Sequence, residues 1–98
     1  QVRVLALTDR NNDYVETIVE TLKNEGIRAE ADVRNEKIGY KIREALSQKV
    51  PYLIIVGDEE ENNKTISIRG RGNENQTGLI LSDFIERLKK EIKDKKFN

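Results

Sequence analysis

Four consecutive carboxylates, Asp58 to Glu61, follow directly on the apolar run Tyr52–Val56 and Gly57. Oxygen ligands in such a cluster could hold Mg²⁺ or Ca²⁺. The EF-hand spacing is absent, however, and no second acidic cluster is placed to converge on this one. A carboxylate can also accept from two donors at once, as from the N1–H and N2–H of guanine's Watson–Crick edge. The plain alternative is a solvated acidic loop. Arg69 and Arg71 stand two residues apart in an alternating segment, so they project from one face. Paired guanidinium groups there could grip phosphate or a base edge. Asn35 precedes a helical pattern, where it can serve as an N-cap. Its amide, donor and acceptor together, would equally match the mixed edge of an exposed base. Lys37, Lys41 and Lys49 fall on or near the polar side of that helix, the usual position of a solvated face. Tyr40 and Tyr52 could stack on bases, and Tyr52 also suits packing.

What is missing narrows the chemistry. The chain has neither cysteine nor histidine. Disulfides, Cys/His zinc sites, thiol nucleophiles and histidine-based triads are therefore excluded. No G-x-G-x-x-G or Walker pattern follows the first strand. Gly70 and Gly72 form a G-x-G between strands, where a hairpin turn explains them. No catalytic or metal-binding residue is expected. Eighteen Lys and Arg balance eighteen Asp and Glu. Zero net charge argues against sequence-independent nucleic-acid binding, which rests on phosphate neutralisation, but leaves base-specific contacts open.

The elements that must position these residues are legible from periodicity. Val2–Leu7 reads as a strand. Tyr14, Val15, Ile18, Val19 and Leu22 recur at helical spacing, with Asn12 or Asp13 as cap and Gly26 as the stop. Residues 27–33 alternate like a strand near a sheet edge. Ile38, Ile42, Ala45, Leu46 and Val50 are expected to line one face of a second helix, which Pro51 ends. Tyr52–Val56 is the central-strand candidate. Thr65–Ile68 and Leu79–Leu81 flank hairpin signals. Ser82 is expected to cap a last helix with Phe84, Ile85, Leu88 and Ile92 inward. The order β-α-β-α-β-β-β-α predicts an α/β fold, a mixed sheet of about five strands flanked by three helices. The 98 residues fit one domain, residues 1–98. The chain has no methionine and begins in a strand pattern at Gln1, so it is expected to be part of a longer protein. No apolar run approaches the ~20 residues of a membrane span.

The segment ADVRNEKIGYKIREALSQKVPYLIIVGDEE, continued by ISIRGRG and TGLILSDFIERLKKEI, resembles the C-terminal anticodon-binding domain of threonyl-tRNA synthetases, class II aminoacyl-tRNA synthetases. The resemblance spans essentially the whole chain. It implies recognition of the anticodon of threonine tRNA, chiefly the central G and the third-position U. Asn35 falls where the family contacts the U, and Glu60 and Arg69 fall where it contacts the G. Lys49 stands where relatives carry an arginine, which keeps the charge and loses the bidentate geometry. Lys37, Tyr40 and Arg71 are further candidate RNA contacts. The resemblance also implies a cytoplasmic parent enzyme, a homodimer that ligates threonine to tRNA with ATP and Mg²⁺ and holds a zinc ion in a catalytic domain outside this chain. The domain itself needs no cofactor on this reading. The competing functions are a free-standing paralogue acting as an RNA- or protein-interaction module, and a small-molecule-binding α/β domain.

Overall fold

The computed structural model describes residues 2–33, 36–48, 50–70 and 75–95. Three strands, β1 (Val2–Ala6), β2 (Ala29–Asp32) and β3 (Tyr52–Val56), alternate with two helices, α1 (Asn12–Asn24) and α2 (Ile38–Ser47). A short helix α3 (Asp58–Asn63), the hairpin strands β4 (Thr65–Gly70) and β5 (Asn75–Ile80) and a long helix α4 (Leu81–Lys95) follow. A 3-10 turn, Asp9–Asn11, leads into α1. The strands form one sheet in the order β2-β1-β3-β4-β5. β1 pairs in parallel with β2 and β3, whereas β3–β4 and β4–β5 are antiparallel. The mixed five-stranded sheet therefore forms as the sequence predicts, with β1 between β2 and β3. The residues from 71 to 74, between β4 and β5 in sequence, lie outside the described set.

Strand alternation divides the side chains between two faces. Val2, Val4, Ala6, Ala29, Ile54, Val56, Ile66 and Ile68 face α1 and α4, and pack on Val15, Ile18, Val19, Leu22, Phe84, Ile85 and Leu88. This is the main core. Tyr52 closes one end of it, edge-on to Phe84 at 5.6 Å between ring centroids. Its hydroxyl donates to Glu91 of α4, so packing rather than base stacking is its structural role. The other sheet face is covered unevenly. Leu5, Leu53 and Ala45 are fully buried outside the main core, which places α2 over β1 and its neighbours. Ile55 and Ser67 are only half-buried, and Arg69 is exposed. Among the described residues this face is therefore open along β4.

Two expectations for α2 fail together. Leu46, expected to face inward, is 54% exposed, and Lys41, expected on the polar side, is 4% exposed. The helix is rotated from the phase that apolar periodicity suggests. Lys41 lays its methylene stem along the sheet and donates from Nζ to the Asp32 carbonyl at 3.2 Å. A long cationic side chain with an apolar stem can fill an inward position when its head finds an acceptor.

Helix α3 is the element the sequence does not announce. Its residues DEEENN contain no apolar stripe, and none of the six is buried. A helix this short is marginal without outside support. Its support is polar: Gly57 has no side chain to cap it, but the Glu60 carboxylate reaches back and accepts the Gly57 N–H at 2.7 Å, the glutamate half of a capping box. The chain leaves α3 through Lys64 in the left-handed conformation, φ 59° and ψ 40°. The carboxylates that read as a loop are thus a turn and a half of helix.

Candidate nucleic-acid interface

Glu60 projects from the third position of α3 and touches the sheet. Besides the Gly57 N–H on Oε1, its Oε2 accepts from the Ser67 hydroxyl at 3.2 Å. Each carboxylate oxygen carries two acceptor positions, so both can accept further donors. Ser67 and Arg69 lie on one face of β4, opposite Ile55 and Leu53 of β3 respectively. Two residues along a strand span about 7 Å. Ser67, which holds the Glu60 carboxylate, and the exposed Arg69 are therefore one pleat apart on that face. An acceptor and a donor on neighbouring positions suit a planar ligand with donors on one edge and acceptors on another.

Beside Glu60, a hollow of about 420 Å³ opens between α3 and the hairpin, lined by Glu59, Glu60, Asn63, Thr65, Thr77 and Gly78. Its hairpin wall is shaped by an irregularity. Ile66 pairs with Leu79 but Ile68 with Gln76, so Thr77 and Gly78 together oppose Ser67. Gly78 takes φ 68° there, which favours glycine. No group of three or more acidic side chains that could hold a metal ion occurs among the described residues. The ionic contacts of the acidic cluster run to protein groups instead.

Those groups belong to the β1–α1 loop, and sequence reasoning missed them. Asn11 is 1% exposed. It flanks α1 without capping it, as Asn12 or Asp13 was expected to do. Its Nδ2 donates to Asp58 Oδ1 at 3.0 Å and to Glu61 Oε1 at 3.1 Å, while its Oδ1 accepts from Thr8 Oγ1 at 2.9 Å. Arg10 pairs with Asp58 from the solvent side at 2.6 Å. The Arg10 and Asn11 bonds hold the Asp58 carboxyl below the usual carboxylate range. Past the helix, the Tyr14 hydroxyl donates to the Thr65 carbonyl at 2.8 Å. Burial first, and the nearby Glu60 and Glu61 charges second, push the Tyr14 phenol up. One signal in the sequence could have revealed α3: Gly57 followed three residues later by Glu60 is an N-terminal capping pattern.

Of the other candidate residues, Lys37 precedes α2 and Tyr40 sits in its first turn, both exposed. Asn35, Lys49 and Arg71 lie outside the described residues. The structure thus holds Glu60 on Ser67, one pleat along β4 from Arg69, and leaves Lys37 and Tyr40 at α2.

Residues 1–91 match the family of the anticodon binding domain. The chain belongs to that family. The anticodon-binding domain is 53% identical over 98 residues to a threonine–tRNA ligase of Clostridium kluyveri, and 50% identical over 95 residues to one of Clostridium acetobutylicum. These matches cover 100% and 97% of the chain and 15% of each relative. The domain thus spans about one-seventh of the length of the curated relatives it matches. Among solved structures it superposes on the RNA binding domain of threonyl-tRNA synthetase from Cryptosporidium parvum Iowa II with a TM-score of 0.86. Identity there is 23%, over 92% of this chain and 23% of that one. Histidyl-tRNA synthetase from Nostoc sp. PCC 7120 gives 0.84 at 19% identity, over 94% of this chain and 22% of that one. Likeness at these identities establishes the shared fold.

Proposed function

We propose that the chain is the C-terminal domain of a threonine–tRNA ligase and reads the anticodon of threonine tRNA. The observation that carries this reading is the Glu60 carboxylate held on Ser67, one pleat along β4 from the exposed Arg69, in a family member about half identical to threonine–tRNA ligases. Anticodon bases are single-stranded and can be splayed out with their Watson–Crick edges exposed. Guanine presents N1–H and N2–H donors, which the free lone pairs of Glu60 accept, and O6 and N7 acceptors, to which a guanidinium donates. Glu60 and Arg69 therefore read the central G. Asn35 pairs with the third-position U, and Lys49 contacts the loop. Lys37, Tyr40 and Arg71 supply further RNA contacts.

Balanced net charge fits this division of labour. Reading guanine requires carboxylates, and the rest of the ligase supplies phosphate affinity. Threonine activation with ATP and Mg²⁺, a threonine-selecting zinc ion and homodimer formation belong to the remainder of a cytoplasmic enzyme.

The test is titration of the chain with the threonine anticodon stem-loop, changing the central G and the third-position U separately. Glu60→Ala and Arg69→Ala should weaken discrimination at G, and Asn35→Ala discrimination at U. Equal affinity for all RNA variants, at a salt concentration where binding is measurable, refutes the reading.

A further inference from the structure

A helix that carries a recognition residue yet buries nothing must be aimed by something other than packing. In α3 that role falls to one amide. Asn11 bonds the first and fourth residues of the helix, Asp58 and Glu61, which flank Glu60 in sequence and lie one turn apart. Thr8 occupies the amide oxygen and so turns the NH₂ toward the helix. The Arg10–Asp58 pair is solvent-exposed on both sides, and exposed pairs contribute little. Asn11 itself is buried and its bonds are part-buried, so its donors are less open to replacement by water than the Arg10 pair. We infer that Asn11 is a positioning residue for anticodon recognition: it clamps α3 to the β1–α1 loop and so fixes the direction in which Glu60 presents its carboxylate. The inference rests on the proposed role of Glu60.

The Gly57 amide supplies a readout independent of RNA, because its N–H is bonded to Glu60 Oε1. Its resonance and exchange rate report whether the carboxylate is in place. Asn11→Asp preserves side-chain size but sets a third carboxylate against Asp58 and Glu61. Asn11→Ala removes the donors without adding repulsion. The chain and both variants are titrated with stem-loops carrying G or A at the central position, in the native and the Glu60→Gln backgrounds.

Asn11→Asp should lower the preference for G about tenfold, more than Asn11→Ala does, from the loss of two charge-assisted hydrogen bonds. Neither should lower it further once Glu60 is Gln. In both variants the Gly57 amide should move to the position of a weaker hydrogen bond and exchange faster. A role confined to volume predicts the opposite order, with the isosteric Asn11→Asp milder than Asn11→Ala. That order overturns the inference, as does an unchanged Gly57 amide, or binding that weakens equally for G and A. If Glu60→Gln alone leaves the preference intact, the reading of Glu60 fails, and the Gly57 amide still decides whether Asn11 aims the carboxylate. Should Asn11→Asp not fold, the Asn11→Ala amide and titration carry the decision.

Discussion

Replacing Glu60 with glutamine or alanine separates the capping that its carboxylate performs from the base reading proposed for it. In the structure Oε1 accepts the Gly57 N–H at 2.7 Å and Oε2 accepts the Ser67 hydroxyl at 3.2 Å. Glutamine keeps a carbonyl for Gly57, and its amide can donate to Ser67 Oγ once that hydroxyl rotates. Glutamine is also an accepted partner in a capping box, so Glu60→Gln should change stability by less than about 0.5 kcal/mol. Alanine removes both bonds and should cost about 1 kcal/mol, the usual worth of a cap. In a domain of this size that lowers the melting temperature by roughly 5 °C. Base reading responds in the opposite pattern. Glutamine offers an NH₂ where guanine also presents donors, so the charged hydrogen bonds are lost, at about 1.5–3 kcal/mol. That corresponds to roughly 10- to 150-fold in G preference. Thermal melting, together with titration of stem-loops bearing G, inosine (which lacks the N2 amine) or A, tests both halves. The native chain should lose affinity in two steps across that series, and Glu60→Gln should flatten it. A glutamine variant that melts like the native chain and still prefers G would show that Glu60 only caps α3.

Three further outcomes follow from the same geometry. Gly78→Ala and Gly39→Ala should have opposite signs although an added Cβ meets no atom within 4 Å at either site. Gly78 has φ 68°, so alanine there costs about 1 kcal/mol, while Gly39 sits in α2 and alanine there should gain about 0.5 kcal/mol; denaturant midpoints check both. Because the Tyr14 pKa is raised from 10.0 by burial and then by Glu60 and Glu61, its stabilisation is complete below pH 10.0 and lost as pH rises through the folded value. Tyr14→Phe should therefore lose about 1 kcal/mol near neutrality, from the missing bond to Thr65, yet show a shallower alkaline decline than the native chain. Lys41→Met should cost about 1 kcal/mol by removing the donor to the Asp32 carbonyl, and Lys41→Ala more by also removing the buried stem. A change within about 0.5 kcal/mol for both would restore Lys41 to a solvated face.

The strands were legible because each is a short apolar or alternating run closed by a turn residue. Tyr52–Val56 fell where periodicity put it, whereas the hairpin formed with a longer second strand: residues 75–78, which carry turn signals, are part of β5, and Leu81, expected in that strand, opens α4. Helix α2 was legible in extent but not in phase. Counting Lys41 as polar turned the expected inner face toward Leu46, because the rule scores the ammonium group and ignores four methylenes. Helix α3 was not legible by hydrophobicity, since it has no apolar face to detect, and its stabilising partner Asn11 lies 47 residues earlier in the chain. The candidate site divides the same way. Arg69 could be placed on a strand face by alternation, and the family resemblance singled out Glu60. What joins them, the Ser67 hydroxyl and the β3–β4 register, is tertiary.

A helix that places no side chain in the core is under no constraint from the core. Substitutions in α3 other than at its polar contacts change no packing, so its sequence can drift while the sheet beneath it stays fixed. The histidyl- and threonyl-tRNA synthetase structures that share this fold at 19% and 23% identity show how far the scaffold tolerates change. On the proposed role of Glu60, the element that carries it can be rewritten in such a scaffold before the foundation is disturbed. A new base preference then becomes accessible by small steps, none of which has to pass through an unfolded protein.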